Sequence, residues 1–438
     1  MLQEKESIAQ VKNNVLFGKD DYLYLFQGGQ KQFDYLQAKE IVSQTSIENF
    51  ASNIKARERY CKKEGILYLH TIFPSKPLIK REFLPQGYQD IESLFYNYYK
   101  KSLDVEEKTL LYPLEELKEA EKKHSTFLKY DTHNSEYGFL TITNSLLKHL
   151  DLEPIKPHEY RLSYYEHAGD LNAMLQAKKV SLEPKIFYNF TLNGAKHSNR
   201  PALQGSTNHK MVLLNLKARH QKRVLIFGDS FFVEMLDTLQ LLFSEILYIR
   251  SSFFHKDIVE RFQPDILLTG NAERYLCSVE SDKKANDILL ALYGDAEYKP
   301  EPAYLDALKA QLSYKNYRDI YEEYKENFTK QALHDFEQKS ILLKKVVSLI
   351  QENNYAELAE KIEEKKSLIL NSLIYNSSFD KADIVREIAL SLEKADAIEL
   401  ANEAMKLALL LRPNGPYIKE KCKYYANILS KNRVGNIS

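Results

Sequence analysis

Ser230 stands in the stretch Arg223–Phe232, RVLIFGDSFF, directly after the apolar run Val224–Phe227 and a Gly-Asp pair. A serine hydroxyl is a weak nucleophile unless a base takes its proton. Asp131-Thr132-His133 offers such a base, because a neighbouring carboxylate can fix the tautomer and orientation of an imidazole. In that chemistry Ser230 attacks an acyl carbon, His133 takes the hydroxyl proton and later returns it, and Asp131 stays ionised behind the ring. Each motif also has a plainer reading. Gly-Asp-Ser is often only a capped turn, and Asp-x-His is often surface or capping chemistry.

The elements around these residues decide whether they can meet. Val224–Phe227 reads as a buried strand, and a helix is expected from about Phe231 to Phe243. A strand (Ile246–Ile249), a helix (about 256–262) and a further strand (Ile266–Thr269) follow. This βαβαβ alternation predicts a parallel sheet, in which ligands bind at the C-terminal ends of the strands. Gly228 permits a tight turn there. Ser230 then opens a helix whose unpaired N–H groups and positive dipole end can hold an oxyanion, with its own amide as the natural donor. Upstream, residues 15–26 read as two short strands around Gly-Lys-Asp-Asp, and residues 45–63 as a helix ended by Gly65. Ile66–Phe73 reads as a strand broken by Pro74 and Pro77, and residues 105–123 show charged helical periodicity. A helix follows His133, with Asn134 or Ser135 as its cap and Phe139, Ile142, Leu146, Leu147 and Leu150 on its buried face. Residues 151–215 look loop-rich, most of all 192–210.

At 438 residues the chain is too long for one compact core, so two domains are expected, 1–300 and 301–438. Beyond about residue 300 the sequence is helical and rich in Ala, Leu, Glu and Lys; its last part is similar to a tetratricopeptide unit but shows no clean repeat. Lys plus Arg and Asp plus Glu both number 61, so no global basic field favours nucleic acid. The three cysteines lack metal or disulfide spacing, the histidines are not clustered, and no Walker or Gly-x-Gly-x-x-Gly motif occurs, so no metal or nucleotide site is expected. The N-terminal residues show no signal peptide and no apolar run is long enough to span a bilayer. A cytoplasmic location is therefore expected, or a periplasmic one if a leader was removed.

VLIFGDSFF and YDTHNSEYG together resemble the SGNH-hydrolase-like domain of bacterial polysaccharide O-acetyltransferases, the alginate acetylation family. That family places Asp-Thr-His well before Gly-Asp-Ser-Phe, whereas ordinary SGNH esterases carry Asp-x-x-His after the serine. VLFGKDDYLYL (15–25), EGILYLHTIFPSKPLIKREFLP (64–85) and HKDIVERFQPDILLTGNAERYL (255–276) are similar to its opening hairpin, its strand with a Pro-Ser-Lys loop and its Pro-Asp strand segment. The resemblance covers roughly residues 13–280. It implies Ser230 as nucleophile, His133 as base, Asp131 as its orienter and Asp229 as structural. It also places Ser75 and Lys76 near the site as substrate-binding candidates, with Arg250 as a sugar or oxyanion contact. Asn271 at a strand end is a further candidate oxyanion donor, and Glu273 with Arg274 reads as a structural ion pair. Asn134 stands where the family has Trp, and Thr269 where it has an acidic residue; both changes fall on the expected substrate side.

The implied fold is an α/β, parallel-sheet SGNH-hydrolase-like domain followed by a mainly α-helical domain. The implied activity is O-acetyl transfer through an acetyl-serine to a hydroxyl of a surface polysaccharide (capsule, exopolysaccharide or lipopolysaccharide). The acetyl donor is acetyl-CoA or an acetylated carrier, with no bound cofactor, and the helical domain is expected to bind a protein partner. A carbohydrate acetyl esterase, or a non-catalytic glycan-binding or scaffold module, is the alternative. His197 and His209, in the irregular loop, are further candidate substrate contacts.

Overall fold

The computed structural model describes residues 10–26, 30–190, 192–198, 210–285, 345–346, 348–350, 352–363 and 382–435. The strands, in chain order, are β1 (Val11–Lys12), β2 (Val15–Phe17), β3 (Leu23–Leu25), β4 (Leu67–Phe73), β5 (Leu110–Leu111), β6 (Tyr160–His167) and β7 (Ser181–Tyr188). They continue with β8 (Gly194–Ser198), β9 (Lys210–Asn215), β10 (His220–Gly228), β11 (Phe243–Arg250) and β12 (Ile266–Ala272). The central sheet has seven strands in the order β5-β4-β12-β10-β11-β9-β8.

The three strands read as continuous apolar runs lie in the middle of this sheet. Successive side chains of a strand point to opposite faces, so an unbroken apolar run must be covered on both. Val224 and Ile226 of β10 pack into one core with the helices Glu136–His149 and Ser230–Leu242. Leu225 and Phe227 pack into a second core with Ile258, Val259 and Phe262 of the helix Lys256–Phe262. Ile246 and Tyr248 against Leu247 and Ile249 in β11 repeat the division.

β5, β4, β12, β10 and β11 are parallel, as expected, but β9 runs antiparallel to β11 and β8 antiparallel to β9. The sheet is therefore mixed, not purely parallel. The segment expected to be loop-rich supplies the edge strand β8, its inner neighbour β9 and the separate ribbon β6–β7. β8 and the ribbon give little sequence signal because edge and ribbon strands are solvated on one side and carry polar residues such as Lys196 and Glu166.

From β10 the chain turns to β11 on one side, whereas β4 leads to β5 on the other. In open α/β sheets ligands bind outside the C-terminal strand ends at such a reversal, and that is the end from which Ser230 emerges. Gly228 and Gly270 face each other across β10 and β12. A Cβ on Gly228 would lie 2.4 Å from the Phe232 ring, and one on Gly270 2.2 Å from the Thr71 carbonyl oxygen. What Gly228 permits is thus close approach of ring and backbone under the serine turn.

The helices Ala382–Lys394, Ile398–Leu411 and Pro416–Gly435 share a core of Val385, Ile388, Leu392, Met405, Leu411 and Tyr425. The C-terminal region is mainly helical where described. Among the described residues no tetratricopeptide repeat is established, and the 300/301 boundary lies outside the described residues. Phe187 of β7 joins this helical core, and the Arg161 guanidinium of β6 donates to the Leu411 carbonyl. No described helix is long and apolar enough to cross a membrane.

Gly228→Ala and Gly270→Ala should each lower stability by about 1–3 kcal/mol through overpacking. Urea unfolding of each variant against wild type checks this; an unchanged midpoint would show that Phe232 and the strands can shift without penalty.

Candidate active site

The serine turn is tied down from three sides. Asp229 caps the helix Ser230–Leu242 by accepting from Phe231 N at 3.0 Å, and its second oxygen accepts from Ala272 N at 2.7 Å. The Tyr248 hydroxyl, from β11, lies 3.0 Å from both the Gly228 and Asp229 carbonyl oxygens. Ser230 is the first residue of that helix, so its amide belongs to the turn that has no intrahelical acceptor.

The loop bearing Asp131 and His133 is pinned as firmly. Phe127 bridges Asn134, Ser135 N donates to Thr126 O at 2.9 Å, and Ser135 Oγ accepts from Gly138 N at 3.1 Å to cap the next helix. Buried Lys76 spends its ammonium on four carbonyls, those of Leu23, Leu128, Lys129 and Asp131, at 2.7–3.0 Å. It joins the N-terminal hairpin to this loop, and its four partners are all backbone carbonyls.

These supports bring together residues 97 positions apart: His133 Nε2 lies 2.9 Å from Ser230 Oγ. His133 Nδ1 lies 2.8 Å from Asp131 Oδ1, which also accepts from His133 N at 3.0 Å. The other carboxylate oxygen, Oδ2, accepts from Asp170 N at 3.0 Å and lies 3.1 Å from His167 Nε2. With Nδ1 protonated toward Asp131, Nε2 is free to accept the serine proton.

The electrostatics follow from that crowding. Burial pushes the Asp131 carboxyl up, but the hydrogen bonds from His133 and His167 and the His133 charge outweigh it and hold it well below the usual carboxylate range. Burial lowers the His133 imidazole, and Asp131, Asp170 and Glu234 more than reverse this, so its pKa is raised. The Asp131 bond raises His167 against opposing burial. Burial, then the Asp131 charge, raises the Asp170 carboxyl. Asp131, His133 and Asp170 offer ligand atoms within 4.8 Å of one another, the one such group among the described residues. A cation there would compete with the Nδ1 proton that the Asp131 bond uses.

Other expected residues stand elsewhere. Arg250 ends β11 opposite Gly228, and Asn271 lies in β12 opposite Ile72, both half-buried on the strand-end edge that carries Ser230. Neither side chain hydrogen-bonds to Ser230, His133 or Asp131. Ser75 donates its amide to Glu273 at 2.9 Å. Glu273 is not paired with Arg274: its buried carboxylate also accepts from Ser93 Oγ, Phe95 N and the Tyr112 hydroxyl. The Arg274 guanidinium instead lies 5.5 Å from the Phe231 ring centre, and that ring lies 4.9 Å from the His133 ring. Asn134 and Thr269 are buried, contrary to the expected substrate-side placement; Asn134 donates to Thr126 O, and Thr269 meets His70 and Tyr68. His197 falls within β8, and His209 lies outside the described residues.

Sequence reading missed His167 and Asp170. The available signal was His-Ala-Gly-Asp: Gly169 has φ 80°, and a Cβ there would meet the Tyr130 carbonyl oxygen at 2.1 Å. Only glycine lets this turn reach the Asp131 backbone.

No family model and no curated protein matches the chain. Among solved structures, Bacillus cereus PatB1 with a sulfonyl adduct is similar at 15% identity over 64% of this chain and 100% of that one, with a TM-score of 0.45. The O-acetyltransferase domain of Pseudomonas putida AlgJ is similar at 13% identity over 68% and 99%, with a TM-score of 0.38. Pseudomonas aeruginosa AlgX is similar at 12% identity over 66% and 69%, with a TM-score of 0.33.

A carboxyl with a depressed pKa contributes stability that is present above its unfolded value and lost as pH falls below it. Asp131→Asn should therefore lower the unfolding free energy at pH 7 by about 3 kcal/mol. It should also flatten the loss of stability on acidification below 3.8, the ordinary Asp value. Urea unfolding at pH 7 and pH 3 reads both effects.

Proposed function

We propose that the protein is a serine-dependent O-acetyltransferase that acylates hydroxyls of a polysaccharide. The observation that carries this reading is the hydrogen-bonded chain Asp131–His133–Ser230 at the start of a helix. The segments that resemble the polysaccharide O-acetyltransferase family are what supports the proposed substrate class.

Ser230 Oγ attacks the carbonyl carbon of the acetyl donor, and its proton passes to His133 Nε2. The oxyanion forms at the helix N-terminus, within reach of the Ser230 amide. Collapse expels the leaving group, which takes the proton from His133, and acetyl-Ser230 remains. A sugar hydroxyl then attacks the ester; His133 accepts its proton and returns it to Ser230 Oγ. Asp131 stays ionised throughout and holds Nδ1–H. Arg250 and Asn271 are the proposed contacts to the acceptor or oxyanion, from the same sheet edge. Water in place of the sugar gives the esterase outcome from the same intermediate.

Intact-protein mass spectrometry after exposure to p-nitrophenyl acetate tests this. Wild type should gain one acetyl group, Ser230→Ala none, and His133→Ala should acylate at least about a hundredfold more slowly. An adduct indifferent to Ser230, or none in wild type, would sink the reading. Removal of the acetyl group on addition of a glycan, faster than in buffer, would separate transfer from hydrolysis.

Only neutral His133 can accept the proton, and its pKa is raised. The acylation rate should accordingly climb with pH through a midpoint above 6.5, the ordinary imidazole value. A midpoint at or below that value would mean that Asp131 does not act on the base.

A further inference from the structure

Asp131 serves two imidazoles. Its Oδ1 faces His133 Nδ1 and its Oδ2 faces His167 Nε2, so the single carboxylate charge lies between two groups that titrate in the same range. His167 comes from the end of β6, on a different element from the Asp131 loop. Its Nδ1 lies 3.3 Å from the Tyr165 hydroxyl, which fixes the ring from the far side. The other charged or titratable groups around it and its carboxylate are Asp170 on the following helix, Glu183 on β7, Glu234 on the helix Ser230–Leu242, and Lys76, whose Nζ donates to the Asp131 carbonyl at 3.0 Å. Glu183 is itself engaged with Lys129 N and Ser181 Oγ. The His167 side chain is 28% exposed against 9% for Asp131, so it exchanges protons with solvent where the carboxylate is shielded.

The other donors to Asp131, apart from His133 Nδ1, are backbone amides, which hold the carboxylate but never change charge. A neutral amide side chain at position 167 would have sufficed for that task. An imidazole adds a proton that can come and go.

We propose that His167 is a positioning residue that holds Asp131 Oδ2 and sets the basicity of His133 through the shared carboxylate; its bearing on catalysis rests on the acetyl-serine reading. When His167 carries a proton, part of the Asp131 charge is spent on it and His133 binds its own proton less tightly. When His167 is neutral, the full charge acts on His133. The two rings therefore titrate as a coupled pair. Removing the donor returns the whole carboxylate charge to His133 and raises its pKa.

The test uses the full-length protein with 13Cε1-labelled histidine, with the two signals assigned through His133→Gln and His167→Gln. In wild type the His133 signal should titrate in two coupled steps. In His167→Phe, which keeps a ring but no donor, it should titrate in one step at higher pH. In His167→Gln, which keeps a neutral N–H, it should also titrate in one step. Acylation by p-nitrophenyl acetate should fall about 10- to 100-fold in the Phe variant. The Gln variant should recover to within about threefold of wild type, because the carboxylate is held again.

A His133 titration identical in wild type and both variants overturns the proposal. So does a rate loss of equal size in Phe and Gln variants with no movement of the His133 curve, which marks a merely structural residue. If the Phe variant does not fold, the wild-type against Gln titration decides, since loss of the second step supports the coupling and its persistence refutes it. If wild type never acylates Ser230, the acetyl-serine reading falls, while the titration still decides the role of His167.

Discussion

A buried carboxylate is tolerated only where its charge is met. Asp131 meets four donors: His133 N, His133 Nδ1, Asp170 N and His167 Nε2. Much of the surrounding chain can be understood as what those donors require. Lys76 gathers the carbonyls of the Asp131 loop so that the carboxylate sits at a fixed height. Gly169 lets the Asp170 amide come close. Without both, either the charge loses partners or the loop moves away from Ser230.

The serine side is built by different means. Its position depends on parallel strands stacked closely enough for two facing glycines and on a buried aspartate that caps the helix while gripping β12. That arrangement is rigid because the strands are covered on both faces. A 2.9 Å approach between groups from two separately braced elements needs no rearrangement to begin proton transfer.

The ribbon β6–β7 links this centre to the helical region. β6 presents His167 at one end, and near the other Arg161 donates to the last carbonyl of Ile398–Leu411. Six residues of extended chain span about 20 Å. Phe187 on the paired strand is embedded in the helical core. The helices therefore help to set where the ribbon lies, and the ribbon sets where His167 meets Asp131.

The apolar runs of β10, β11 and β12, the Gly-Asp-Ser turn and the helix after His133 were legible in sequence, because each is fixed by local period, caps and glycine. Ser230, His133 and Asp131 could be nominated for the same reason: their chemistry is written in residue type and short spacing. The edge strand β8 and the ribbon were not legible, since solvated strands lack a continuous apolar signal; β9 does carry an apolar run, Met211–Leu214, but only its antiparallel pairing with β11 and β8 shows it as part of the sheet. Nor were His167 and Asp170, or the burial of Asn134, Thr269 and Glu273. Their roles depend on which distant group each meets; Gly169 marks a close approach beside Asp170, but residue type alone does not say to what. Sequence alone nominated the residue types at the centre and marked the strand-to-helix turn that presents the serine. Only the tertiary structure decided that one carboxylate holds two imidazoles, because that requires His167, 36 residues on and on a different strand, to converge with the Asp131–His133 loop on a single buried charge.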